Sequence, residues 1–193
     1  MRALGFEQLP ATFTYKQALD AGLTHHRLYN LRDTGQLERV GRGLYRKADA
    51  ELTDLDLLEV TQRAPKATIC LLSALARHDL TDAIPTQHDI ALPRDTWHPR
   101  LGDIIHWHSF DHATFDIGRT MVPVDDATTI GLYNAPRTII DTYRLRHAEG
   151  PEVAHEALRR WLRKGGQPAQ LAALARAFPR AMPSIMSALE VLL

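Results

Sequence analysis

Residues 14–47, TYKQALDAGLTHHRLYNLRDTGQLERVGRGLYRK, decide the reading of this chain. Thr14 is suited to cap a helix, and Gln17 stands three residues on, where the return partner of a capping box belongs. Phe13 before the cap and Ala18 one turn in form a small hydrophobic staple. Gly22 ends that helix, Thr24 caps a second one, and Gly35 stops it near Thr34. Gln36–Val40 has the length of a strand, Gly41-Arg42-Gly43 is a turn, and Leu44-Tyr45-Arg46 returns. Helix, glycine-containing turn, helix and hairpin in so short a span describe a winged helix-turn-helix.

The faces of the second helix give this motif a purpose. Leu28 and Leu31 lie three apart and share one side. At about 100° per residue, His26, Asn30 and Asp33 point the other way, with Arg27 and Tyr29 on the flanks. His26, Arg27, Tyr29 and Asn30 offer the donors, acceptors and aromatic surface needed to read base edges. In the hairpin, Arg39, Arg42, Arg46 and Lys47 are suited to phosphates rather than bases.

The whole chain has 193 residues, 45% hydrophobic and 24% charged, with a formal net charge of zero. The zero conceals a segmentation. Residues 1–47 hold eight Lys+Arg against four Asp+Glu, net +4. Residues 48–134 hold six against fourteen, net −8, and residues 135–193 nine against five, net +4. A basic end able to hold DNA is thus followed by an acidic middle and a basic tail. The single cysteine, Cys70, excludes an intramolecular disulfide and fits a reducing compartment. The N-terminus lacks the apolar run of a signal peptide, and the longest apolar stretch, near Ala67–Ala76, is too short for a bilayer. A cytoplasmic protein is expected.

Outward from the motif, Arg2–Leu9 reads as a short first helix packing Leu4, Phe6 and Leu9, with Pro10 ending it. The polar joint ADAELT, residues 48–53, is the expected boundary between a DNA-binding domain, 1–50, and a second domain, 51–193. Thr53 caps a helix over Asp54–Ala64, and Ile69–His78 reads as a buried helix. Residues 88–92, 104–109, 119–124 and 128–133 are short strand-like runs, expected to form a small antiparallel sheet. Beyond Asn134 the period turns helical, with apolar stripes led by Ile139, Leu158, Leu171 and Ile185, the last helix running over Ser184–Leu193. The fold class is α+β.

Chemistry is sparse. His106, His108 and His112 form the main histidine cluster, but their spacing matches no common zinc motif, so exposed histidines at a sheet edge and no metal or other cofactor are expected. Asp125-Asp126 reads as a turn rather than a magnesium site. Two places before the four lysines stand Thr14, Tyr45, Ala64 and Leu162, so the D/E-x-K pattern of many nucleases is missing. The sequence has no G-x-S-x-G, Walker loop or G-x-G-x-x-G either, and no enzyme is expected. Arg137, Asp141 and Arg144 share one side of a helix, read as a surface ion network or a face for a toxin or other partner.

Three segments in order, THHRLYNLRDTGQLERVGRGLYRK, ICLLSALARHDLTDAIP and PRTIIDTYRLRHAEGPEVAHEALRRWL, resemble the AbiEi-type antitoxins of type IV toxin–antitoxin systems. The similarity spans nearly the whole chain and is weakest over residues 94–118. The resemblance implies a winged helix that binds the operon's own double-stranded promoter DNA and represses it. It also implies an α+β domain that counters a neighbouring nucleotidyltransferase-like toxin, directly or through its target, and no catalytic residues. One departure is the short N-terminal helix, which here spans only about eight residues. The reading to set beside it is a ligand-responsive winged-helix repressor unconnected with a toxin.

Overall fold

The computed structural model describes residues 5–51 and 53–192. They form two compact units: Met1–Pro65 together with Val122–Ile130, and Lys66–Met121 together with Gly131–Leu193. The joint expected at residues 48–53 lies inside the first unit.

Among the described residues the first unit opens with a single 3-10 turn, Phe6–Gln8, within the span of the helix expected over Arg2–Leu9; residues 2–4 of that span lie outside the described residues. Strand β1, Thr12–Thr14, follows, then helix α1, Tyr15–Asp20, and helix α2, His25–Asp33. Strands β2, Leu37–Gly41, and β3, Leu44–Lys47, complete an antiparallel sheet in the order β1-β3-β2. Leu9, Phe13, Ala18, Ala21, Leu23, Leu28, Leu31, Leu37 and Tyr45 form its core. Helix α3, Leu55–Arg63, packs beside β2. Its cap is Asp54, whose carboxylate accepts from the Leu57 amide at 3.1 Å. The expected cap, Thr53, instead donates its hydroxyl to the Val124 carbonyl at 2.5 Å.

The second unit holds most of a five-stranded sheet, with Val122–Pro123 and Thr129–Ile130 of its last two strands counted in the first. Its strands are β4, Thr68–Ile69; β5, His88–Pro93; β6, Ile105–Phe110; β7, Arg119–Pro123; and β8, Thr129–Tyr133, in the order β6-β5-β4-β8-β7. The sheet is mixed, which corrects the antiparallel expectation. β4 runs antiparallel to β5, but parallel to β8, and β5 runs parallel to β6. A link as short as residues 94–104 usually joins hairpin strands, because parallel neighbours need a longer return; here it carries the chain back to a parallel start.

The buried helix expected at Ile69–His78 is divided. Ile69 ends β4, and helix α4, Leu71–Arg77, begins at a sharp elbow where Leu71 takes φ 43°. After the short helix α5, His112–Phe115, the tail contributes α6, Ala135–Arg144; α7, Arg146–Glu149; α8, Pro151–Arg163; α9, Pro168–Ala175; and α10, Met182–Leu192. Ile139, Ile140, Tyr143, Leu158, Trp161, Leu171, Phe178 and Ile185 bury their side chains together as the main core of this unit. Asp125 and Asp126 lie in the turn between β7 and β8, where Asp125 Oδ1 accepts from the Ala127 and Thr128 amides at 3.0 and 2.6 Å. Among the described residues no helix is long and apolar enough to cross a membrane.

Candidate nucleic-acid interface

The interface begins with two capped helices. Thr14 Oγ1 accepts from the Gln17 amide at 3.2 Å, and Gln17 Oε1 accepts from the Thr14 amide at 2.7 Å, closing the capping box. Gly22 and Gly35 follow the helix ends at φ 87° and 72°, which a side chain would strain. The turn between them brings Thr24 to the head of α2, where its hydroxyl accepts from the Arg27 amide at 3.2 Å.

Leu28 and Leu31 are buried under α2, and His26, Arg27, Tyr29 and Asn30 are exposed on its outer side, as the spacing predicts. Thr24, His26, Arg27, Asn30, Leu31 and Gln36 line a shallow concavity. Gln36, which periodicity alone did not select, joins because the chain turns back beside α2. Tyr29 is held on both sides: the His25 ring lies 4.4 Å away, with Tyr15 against it at 5.9 Å, and the Arg32 guanidinium sits 4.5 Å from the Tyr29 centroid. Arg32 also donates from Nε and Nη2 to Asp33 Oδ1 at 2.9 and 2.7 Å, and this carboxylate raises the guanidinium's pKa further. The charge of Arg32 is therefore matched locally.

The wing separates its four basic residues. Arg39 and Arg42 are exposed, Arg39 Nε donating to the Gly41 carbonyl at 3.2 Å. Lys47 is half-buried, its ammonium 5.3 Å from the Phe6 ring centroid and 3.2 Å from the Glu7 carbonyl. Arg46 departs from the expectation. It is 6% exposed, because β3 is the central strand and Arg46 points away from the helices onto the face crossed by the following chain. There its Nη2 donates to the Ala50 and Glu51 carbonyls at 2.7 and 2.5 Å, and Nη1 stands 3.6 Å from Glu38. Arg46 is thus a clamp within the unit and is corrected from the phosphate set.

Arg46→Ala leaves two carbonyls without their charged donor, and is expected to cost about 1.5–3 kcal/mol of stability. Urea unfolding checks the cost. A salt titration of the folded variant should keep the parent's slope, whereas a reduced slope would return Arg46 to the DNA surface.

The second expected face does not exist as a surface. Arg137 and Asp141 are each 0% exposed, and Arg144 is partly buried beside them. Arg137 Nε donates to Asp141 Oδ2 at 2.8 Å, and Nη1 to the Thr114 and Ile117 carbonyls at 2.6 and 2.5 Å. Its guanidinium lies 4.1 Å from the Tyr133 centroid and 4.5 Å from that of Phe178. Arg144 Nη1 donates to Asp141 Oδ1. Burial pushes the Asp141 carboxyl up, against the pull of Arg137 and Arg144. Arg137, Asp141 and Arg144 are therefore internal framework and no toxin or partner face.

The expected histidine trio also divides. His106 and His108 share one face of β6 with Asp89 of β5, while His112 stands exposed at the start of α5. Far from being an exposed edge residue, His108 has a side chain only 12% accessible.

Residues 6–46 match the family described as transcriptional regulator, AbiEi antitoxin. The match ends at residue 46, so it takes in both capped helices, the turn and most of the wing, while residues 69–85 and 136–162 lie beyond it. No curated protein matches the chain. The crystal structure of the RV2827C protein from Mycobacterium tuberculosis is similar at a TM-score of 0.49 and 16% identity, over 87% of this chain and 76% of that one.

Proposed function

We propose that this protein is a cytoplasmic, non-enzymatic DNA-binding antitoxin that represses its own toxin–antitoxin operon and counters a nucleotidyltransferase-like toxin. The observation that carries the DNA-binding half is the outer face of α2. Its base-reading side chains stand exposed above a buried Leu28–Leu31 seam, and two exposed wing arginines flank them within a segment of AbiEi antitoxin type. In this reading His26, Arg27, Tyr29 and Asn30 meet base edges in the major groove, while Arg39, Arg42 and Lys47 meet phosphates. The antitoxin half rests on the family to which residues 6–46 are similar.

Asn30 supplies the sharpest test. An asparagine that pairs with both exposed edge groups of adenine contributes about 1–3 kcal/mol of discrimination. Asn30→Ala is therefore expected to bind DNA from upstream of its own gene about 5- to 150-fold more weakly at fixed salt. Its binding to unrelated DNA should be little changed. Fluorescence anisotropy with both duplexes measures the ratio, and an unaltered ratio would remove α2 from the major groove.

A further inference from the structure

Asp89, His106 and His108 are not used by the DNA-binding reading, and their arrangement is specific. β5 and β6 run parallel with Asp89 opposite His106 and Ala91 opposite His108. Side chains two apart on a strand share a face. The register therefore puts one carboxylate and two imidazoles side by side, and the methyl of Ala91 leaves room opposite His108. Asp89 Oδ1 lies 3.1 Å from His106 Nδ1 and 2.9 Å from His108 Nε2, and the two rings are 4.3 Å apart by their centroids.

The carboxylate is nearly buried, at 7% exposure for the residue, and its ion-pair partners among the described residues are these two histidines. Its backbone is fixed from both directions. The Asp89 amide donates to Ser73 Oγ at 2.8 Å, and the Asp89 carbonyl accepts from the Cys70 amide at 3.0 Å. The Phe110 ring, 6.4 Å from that of His108, closes the inner side, whereas the His106 side chain is 55% exposed and leaves the outer side open. A buried carboxylate without Lys or Arg needs a positive charge or donated hydrogen bonds.

We infer that Asp89, His106 and His108 bind one divalent transition-metal ion through Oδ1, Nδ1 and Nε2. The three donor atoms lie within 4.8 Å of one another, and their separations are compatible with one ion. With metal–ligand bonds of about 2.1 Å, neighbouring ligands stand about 3.0 Å apart in an octahedron and about 3.4 Å in a tetrahedron. The observed 3.1 and 2.9 Å match adjacent positions of the former. Two imidazoles and one carboxylate on one face suit a borderline ion such as Zn2+, Fe2+ or Co2+, with the remaining positions left to water or a ligand. Each imidazole binds in its neutral form, with its proton on the other ring nitrogen, so no redox step or co-reactant enters.

Cobalt provides the probe. The full-length protein without a histidine tag is stripped with EDTA, dialysed and titrated with Co2+ while its visible absorption is recorded. Saturation at one Co2+ per chain is expected, reversed on adding Zn2+. His106→Ala, in which the exposed ligand is removed, and His108→Ala should each weaken the binding by at least about tenfold with unchanged circular dichroism. No saturable Co2+ binding by the parent would overturn the inference and leave a hydrogen-bonded Asp–His cluster. So would one equivalent retained by the folded His106→Ala, His108→Ala double variant.

Discussion

Arg137→Ala is expected to lower the melting temperature of the second unit by about 10–20 °C, from a loss of roughly 3–5 kcal/mol. The substitution leaves the Asp141 carboxylate buried at 0% exposure without its Nε donor, and strips Thr114 and Ile117 of the donor to their carbonyls. It also empties the space beside the Tyr133 and Phe178 rings. The measurement is well isolated, because Trp97, Trp107 and Trp161 all belong to this unit, so their fluorescence follows its unfolding alone. Arg137→Met combined with Asp141→Leu should recover part of the loss, since an apolar pair leaves no charge to desolvate. A shift of under about 2 °C for Arg137→Ala would match an exposed ion pair, worth at most about 1 kcal/mol, and would contradict the burial.

The second large effect concerns DNA. Arg39→Ala combined with Arg42→Ala is expected to reduce the salt slope by about two units, about 0.9 for each phosphate released. Extrapolated to 0.15 M salt, that amounts to roughly 30-fold weaker binding to every duplex, specific or not. Both residues are exposed in the wing, so tryptophan fluorescence and melting of the second unit should match the parent. In cells carrying the cognate toxin under an unrelated promoter, the full-length variant is expected to protect while failing to repress a reporter driven by its own upstream DNA. Growth arrest despite soluble, folded protein would show that neutralisation needs the wing as well. Unchanged repression would remove Arg39 and Arg42 from the interface.

The parts legible in the sequence are those set by neighbours along the chain. The Thr14–Gln17 box, the Thr24 cap, the two glycine stops and the Leu28–Leu31 seam each depend on residues within one turn, and each lies where its spacing puts it. All four strand-like runs of the second part became strands. What escaped was set by distant segments. Arg137 and Asp141 have the same i,i+4 spacing whether their helix faces water or core, and only the rings of Tyr133 and Phe178 decide which. Arg46 alternates correctly in its strand, but nothing local says that residues 50–51 return across that face. Asp89 stands 17 residues from His106 and meets it through a parallel register that a link over residues 94–104 did not suggest. β4 was hidden within an apolar run, because a leucine at positive φ gives no signal in composition.

The composition of the first unit has a consequence for the order in which the protein is made. Its last portion, Val122–Ile130, follows Pro65 only after Lys66–Met121 has been synthesised. At about 5–20 residues per second, the ribosome takes roughly 3–11 s to cover that interval. During it, the two capped helices, Tyr15–Asp20 and His25–Asp33, can form from their own caps, yet Thr53 still awaits the Val124 carbonyl. The first unit is therefore the first to begin folding, but is completed only once most strands of the second have left the ribosome.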